Sequence, residues 1–223
     1  RDLEPEQALA FLEQARGRLD ELDERKRAVF LFSLAISYHE LGDYEAAIST
    51  GTQSLARFRA TEADREAASI ENELALVYLA LGSLEIARGH AAHAREYFEL
   101  QHDDRWLAHV TETEAQIALG SGDLAGAIRL ALEARTLADS SSDRKAAVSA
   151  TLTLGRAQQA RGDLVAAEAT LSQAVEQPFA RLGVAPKPPQ LLLVLEERRE
   201  RPEQALQELR RRQGHETQPL GRR

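Results

Sequence analysis

Long stretches of the chain place apolar residues at the spacing of an amphipathic α-helix. The segment KRAVFLFSLAISYHEL (26–41) has them three and four positions apart, which forms one stripe along a helix. Gly42 and Asp43 follow, and YEAAISTGTQSLARF (44–58) then shows a second stripe. Glycine adopts the left-handed angles that end a helix, and aspartate accepts from the free N–H groups that begin the next. The pattern predicts a hairpin of two antiparallel helices.

The same pattern recurs along the chain. Gly42, Gly82, Gly122 and Gly162 stand 40 residues apart, and a fixed period in this range indicates stacked repeats. We predict an all-α fold of about eleven helices, each full-length helix having about 17 residues, in a single array over residues 1–223. The predicted parts are a half repeat (4–20), four full repeats (24–61, 64–100, 104–139, 143–177), a proline-rich linker (178–189), a degenerate hairpin (190–213) and a tail (214–223).

Each first helix begins near an acidic residue followed by arginine. The pairs are Glu24-Arg25, Asp64-Arg65, Asp104-Arg105 and Asp143-Arg144. An acidic side chain is favoured at a helix start because the helix dipole is positive there. Arginine gains nothing from that dipole, so we expect the arginines to reach the neighbouring hairpin.

The composition and net charge argue against several classes of function. The net charge of −8 argues against a general nucleic-acid or acidic-membrane binder, and without cysteine no disulfide or thiolate site can form. No stretch is apolar enough to span a membrane, and the first residues are too charged for a signal peptide, so we expect a cytoplasmic protein. Arginine outnumbers lysine 25 to 3, which is typical of a GC-rich bacterium. Because the chain has no methionine, we expect it to be part of a longer protein.

Four units share an order of residue types: a large residue, Leu, a small residue and an aromatic, then the turn, then spaced alanines. The first unit carries Leu31, Leu34, Ala35, Tyr38, Gly42, Asp43, Tyr44, Ala47 and Leu55. This order resembles the tetratricopeptide repeat (TPR) family, although the third unit has Glu114 where Leu is typical. The 40-residue period exceeds the usual 34 and is similar to long units of bacterial signalling proteins. The resemblance implies a right-handed superhelix of stacked antiparallel helix pairs, whose concave face holds peptides or partner helices.

The helical phase identifies which side chains would line that concave groove. They are the first-helix positions that point away from the second helix: Phe32, Ile36, His39, Asn72, Leu76, Leu79, His109, Glu112, Gln116, Arg156 and Gln159. The predicted groove is apolar near its N-terminal end and more polar further on, which suits an amphipathic helix or an extended peptide with an apolar anchor. Asn72, the only asparagine, can donate to and accept from a ligand backbone, or it is simply solvated or bridges helices. The groove has no lysine, which argues against a clamp for the carboxylate tails of chaperones.

Other candidate residues have simpler explanations. His90 and His93 could bind zinc or nickel, but surface histidines are the favoured interpretation. Trp106 is expected to pack between repeats. The arginines at 210–212 could touch nucleic acid, but a solvated cap on the array is favoured. No catalytic motif is present, so we predict no enzyme activity, no cofactor and no metal site.

The sequence thus favours a non-enzymatic module that binds a peptide or protein partner and serves as the scaffold or sensor part of a bacterial signalling protein. The alternative is a homo-oligomer that uses the groove or the C-terminal hairpin, where Leu191 to Leu195 are consecutive apolar residues. A metal-dependent enzyme is the third candidate, and only the histidines support it. Neither membrane nor nucleic-acid partners are expected.

Overall fold

The computed structural model of the protein describes residues 5–180, which form nine α-helices and a 3₁₀ helix, Arg16–Glu21. The α-helices are α1 (Pro5–Ala15), α2 (Glu24–Leu41), α3 (Tyr44–Ala60), α4 (Asp64–Ala80), α5 (Leu84–Leu100), α6 (Asp104–Gly120), α7 (Leu124–Ser140), α8 (Arg144–Arg161) and α9 (Leu164–Ala180). No strand occurs in this part of the chain. The predicted hairpin at 190–213, which would bring the helices to about eleven, and the tail lie outside the described residues.

The helices pack as stacked pairs. Within hairpins, α2 packs on α3, α4 on α5 and α6 on α7, and each second helix also packs on the first helix of the next hairpin. The first helices α2, α4, α6 and α8 contact one another in sequence. The predicted all-α architecture of antiparallel pairs is therefore confirmed, and the first helices form one continuous layer.

The turn within each hairpin has the conformation that its glycine predicts. Gly42, Gly82, Gly122 and Gly162 have φ between 73° and 92°, the left-handed region that lacks a steric penalty only for glycine. Asp43 then accepts from the Ala46 N–H, as expected of a helix cap. The second helices begin at Tyr44, Leu84, Leu124 and Leu164.

The turns between hairpins also use left-handed residues, and the sequence did not reveal them. Glu62, His102 and Ser142 have φ of 52°, 52° and 58°. None is glycine, so composition gives no signal at these positions. Backbone hydrogen bonds still close these turns. In the turn that contains Glu62, the Ala63 N–H donates to the Phe58 carbonyl at 2.9 Å.

The end of α9 differs from the prediction. Pro178 was expected to begin a linker, but the helix continues to Ala180. Proline removes only its own N–H from the helical hydrogen bonds, so the two following residues can still complete the last turn. The predicted boundary at 178 is therefore slightly early.

The core is built largely from small side chains. Ala47, Ala87, Ala127 and Ala167 are buried at the equivalent place of the four second helices, which lets neighbouring helices approach closely. Phe58 and Phe98 are the largest fully buried side chains of the described chain. No helix of the described residues is long and apolar enough to cross a bilayer.

Three of the four arginines at the starts of first helices connect successive repeats, as predicted, and no such pair is observed for Arg144 among the described residues. Arg25 on α2 pairs with Glu66 on α4 at 2.5 Å. The other two pairs are Arg65–Asp103 at 2.9 Å and Arg105–Asp143 at 3.0 Å. Asp103 and Asp143 are also the caps of α6 and α8, so one carboxylate begins a helix and anchors the preceding repeat.

Candidate binding groove on the first helices

The predicted groove residues lie on α2, α4, α6 and α8, the layer of first helices. Their exposure changes along that layer. Asn72 and Glu112 are buried, and Arg156 and Gln159 are exposed. The remaining seven are half-buried: Phe32, Ile36, His39, Leu76, Leu79, His109 and Gln116.

The predicted groove residues nearest the N-terminus are mostly apolar, but some of their side chains pack into the core. Phe32 was expected to point away from the second helix, yet its ring meets Phe58 of α3 edge-on, with centroids 6.4 Å apart. Leu79 packs against a buried cluster that includes Ala75 and Ile117. Aromatic and leucine side chains are long enough to contact a neighbouring helix from the edge of their own helix. The helical phase of a residue therefore does not determine its contacts. Ile36 and Leu76 remain the central apolar candidates.

A histidine–carboxylate contact joins the first two of the first helices, α2 and α4. His39 Nδ1 lies 2.5 Å from a Glu73 carboxylate oxygen, which connects α2 to α4. The His39 ring also lies against Tyr44, with centroids 6.1 Å apart. His39 is thus held in place by neighbours on both sides, which the sequence did not reveal.

Two buried polar side chains occupy the same position of successive first helices. Asn72 on α4 is only 6% exposed, and its Oδ1 has no hydrogen-bond partner among the described residues. Glu112 on α6 is 7% exposed and accepts from Gln116 Nε2 at 2.7 and 2.8 Å and from Thr153 Oγ1 at 2.8 Å. Buried polar groups are normally satisfied, so an unpartnered amide oxygen is notable.

The groove residue His109, on α6, contacts the residue that caps α8. His109 Nε2 lies 3.2 Å from the Asp143 carboxylate. Burial by itself raises the pKa of Asp143, but the Ala146 N–H and the Arg105 and His109 side chains outweigh it. Their hydrogen bonds hold that pKa at about 2.

Trp106 packs between repeats, as the sequence predicted. Its ring stacks on Phe98 of α5 at a centroid distance of 5.3 Å, and the Arg65 guanidinium lies 5.9 Å from it. The residue therefore joins the second and third hairpins. It lies in the interface rather than on the candidate groove.

Comparisons with known proteins agree on the fold. No protein-family model matches the chain, and no curated protein sequence matches it. A putative kinesin light chain of Podosopora anserina with TPR-like repeats matches with a TM-score of 0.59 and 18% identity, over 81% of this chain and 89% of that one. The chain has a TPR-like fold.

Two Rap proteins share this TPR-like fold. A Rap protein in complex with competence and sporulation factor matches with a TM-score of 0.71 and 19% identity, over 75% of this chain and 47% of that one. The Rap conjugation gene regulator of plasmid pLS20, in complex with the Phr* peptide, matches at 0.69 and 19%, over 85% and 57%. The TPR-like chain thus spans about half the length of these two proteins.

A histidine cluster of the TPR-like array surrounds a carboxylate that the sequence analysis did not single out. Glu71 is buried on α4 and pairs with His90 of α5 and Arg59 of α3, and His93 Nδ1 lies 3.7 Å from it. The His90 ring also stacks on Tyr78 at 5.3 Å. Among the described residues, no group of three or more metal-ligand side chains is suitably arranged.

A second polar cluster replaces apolar core at the junction of α5, α6 and α7. Arg95 contacts Glu114 at 2.5 Å, Glu99 at 2.6 Å and Glu133 at 2.9 Å. Burial raises the pKa of Glu114, and the Arg95 charge opposes that rise. Burial lowers the pKa of Arg95, but Glu133, Glu114 and Glu99 outweigh it and raise that pKa. The sequence indicated Glu114 as a departure from the repeat and gave no sign of its partner.

Proposed function

We propose that this TPR-like array is a non-enzymatic interaction module that binds a peptide segment or partner helix of another protein. In this proposal the partner lies along α2, α4, α6 and α8, and the array is the scaffold or sensor part of a cytoplasmic bacterial regulatory protein. The observation that carries the proposal is the buried Asn72, whose Oδ1 has no hydrogen-bond partner within the described part of the chain, one helical turn from the half-buried Leu76. An unpaired amide oxygen beside an apolar side chain offers a ligand both an acceptor for a backbone N–H and an apolar contact surface.

The similar structures support a peptide ligand. One Rap protein is bound to competence and sporulation factor and the other to the Phr* peptide. This chain is similar to each over at least 75% of its length. Because it spans only about half of either protein, we transfer the binding of a peptide-like ligand and none of their other activities.

Selection from a phage-displayed library of random dodecapeptides tests this function without knowledge of the natural partner. We expect the chain to select peptides that contain an apolar anchor. The double variant Asn72→Ala/Leu76→Arg should bind those peptides at least about tenfold more weakly, because it removes a hydrogen bond and places a charge on the apolar surface. Fluorescence anisotropy of the labelled peptides measures the affinities.

A matched control makes the same types of change outside the layer of first helices. Gln53 on α3 and Leu132 on α7 are both exposed, and Gln53→Ala/Leu132→Arg should leave the affinity unchanged. The groove assignment would be wrong if both double variants bound the selected peptides as well as the original chain does. Melting temperatures of both variants show that each remains folded.

Self-assembly is a separate prediction of the sequence. Self-assembly through the C-terminal hairpin would depend on Leu191 to Leu195, which lie outside the described residues. It therefore stays a prediction, and the peptide-binding function is the one that the described contacts support.

A further inference from the structure

Glu112 is a buried carboxylate that has no cationic partner in the part of the chain that the structure describes. Its donors are the neutral Gln116 amide and the neutral Thr153 hydroxyl. No arginine, lysine or histidine of the described chain forms an ion pair with it. Arg156, one turn beyond Thr153 on α8, is exposed and forms no such pair either. A buried acid is usually paired with a cation, because removing its charge from water is costly.

The Asn72 amide oxygen is a second buried acceptor, on the adjacent first helix, and it has no hydrogen-bond partner among the described residues. Asn72 and Glu112 stand 40 residues apart, at the same position of α4 and α6, and these two helices pack against each other. Both residues are more than nine-tenths buried. Both offer acceptor capacity, and neither forms a hydrogen bond or ion pair with a cationic side chain of the described residues. A carboxylate has about four lone-pair sites, of which the described donors of Glu112 use three.

We infer that this pair of acceptors selects a basic side chain, and arginine above lysine, in the bound peptide. The inference rests on the proposed function and specifies the chemistry of its ligand. A guanidinium carries five N–H donors in a planar fork, so one arginine can donate to a carboxylate and to an amide oxygen together. Lysine presents a single point charge and matches two separate acceptors less well.

The Gln116 amide occupies the donor site in the unbound chain. It is half-buried and lies one turn along α6 from Glu112, on the side that the predicted groove would expose. A charged guanidinium is a stronger hydrogen-bond donor than a neutral amide. The arginine therefore displaces the Gln116 amide from Glu112, and the burial of both acceptors keeps water from competing.

Peptides selected by the unmodified chain provide the test. We expect each to carry one basic residue at a fixed distance from its apolar anchor. Replacing that arginine by citrulline, which has a similar shape but no charge, should weaken binding at least about tenfold. Against the Glu112→Gln variant, the same replacement should change the affinity by less than about threefold, because no carboxylate remains to recognise the charge.

The outcomes separate this inference from the proposed function. Peptides that need the Asn72/Leu76 surface but contain no basic residue overturn the inference alone. The inference is also overturned if citrulline replacement lowers the affinity equally for the original chain and for Glu112→Gln, since another residue then recognises the charge. If no selected peptide depends on Asn72 and Leu76, the proposed function fails and the inference with it. The citrulline comparison on the original chain needs no variant, so it decides the charge requirement even if Glu112→Gln does not fold.

Discussion

Replacing Arg95 alone by leucine is expected to lower the free energy of unfolding by about 3 kcal/mol, because it leaves a partly buried carboxylate uncompensated. Arg95 is 25% exposed and pairs with Glu99, Glu114 and Glu133. Without its guanidinium these three acids repel one another. Urea unfolding at pH 7 measures the loss. Lowering the pH should reduce it, since protonating Glu114 removes its charge.

Combining Arg95→Leu with Glu114→Leu should recover most of that stability. The equivalent positions of the first repeat are Leu55 and Leu34, so the double variant restores the apolar pair found there. Replacing both partners of a buried ion pair by apolar residues is often neutral or stabilising. Arg129→Leu is the control, because Arg129 is 69% exposed and its pair with Glu133 should contribute less than about 1 kcal/mol. A single Arg95→Leu variant as stable as the original chain would contradict this account of the junction.

Asp143→Asn is expected to destabilise the chain by about 2 kcal/mol at pH 7, and the deficit should disappear near pH 2. The side chain of Asp143 is 6% exposed, and its pKa in the folded chain is held at about 2, below the ordinary value of 3.8. A lowered pKa in the folded state contributes stability that is present above pH 4 and is lost as the pH falls towards 2. Asparagine can still cap α8 but cannot form an ion pair with the Arg105 guanidinium.

Asp123→Asn provides the matched control for this second prediction. Asp123 caps α7 through the Gly126 N–H at 2.9 Å but is exposed and forms no ion pair among the described residues. Its replacement should therefore have little effect at any pH. Thermal unfolding between pH 7 and pH 2.5 compares the chains. A difference between the original chain and Asp143→Asn that does not change with pH would show that the ion pairs contribute nothing.

The sequence predicted the local structure well because local structure depends on residues close in the chain. Gly42 ends α2 in the left-handed conformation and Asp43 caps α3, as their types and order indicate. The bridge from Arg65 to Asp103 followed from the repeat, since equivalent residues of stacked units are neighbours in space. Helix starts, the helix pairing and the packing role of Trp106 are of the same kind.

Contacts particular to one place in the array could not be predicted in the same way. Glu112 meets Thr153 across 41 residues, and Arg95 meets Glu114 on a different helix. In both cases the positions depart from the apolar pattern, but a departure does not name its partner. Phe32 shows the opposite difficulty, since its phase pointed to the groove while its ring reaches Phe58. The layer of first helices could be predicted from the sequence, but the hydrogen bonds within that layer could not.

Photo-cross-linking of a selected peptide tests most directly whether the first helices bind the partner. A photoreactive amino acid would replace Ile36 or Arg156 on the first helices, and Gln53 or Leu132 on the second helices, in separate chains. We expect cross-links from Ile36 or Arg156 that excess unlabelled peptide suppresses, and none from Gln53 or Leu132. Cross-links from Gln53 or Leu132 alone would place the ligand on the second helices and contradict the proposed groove.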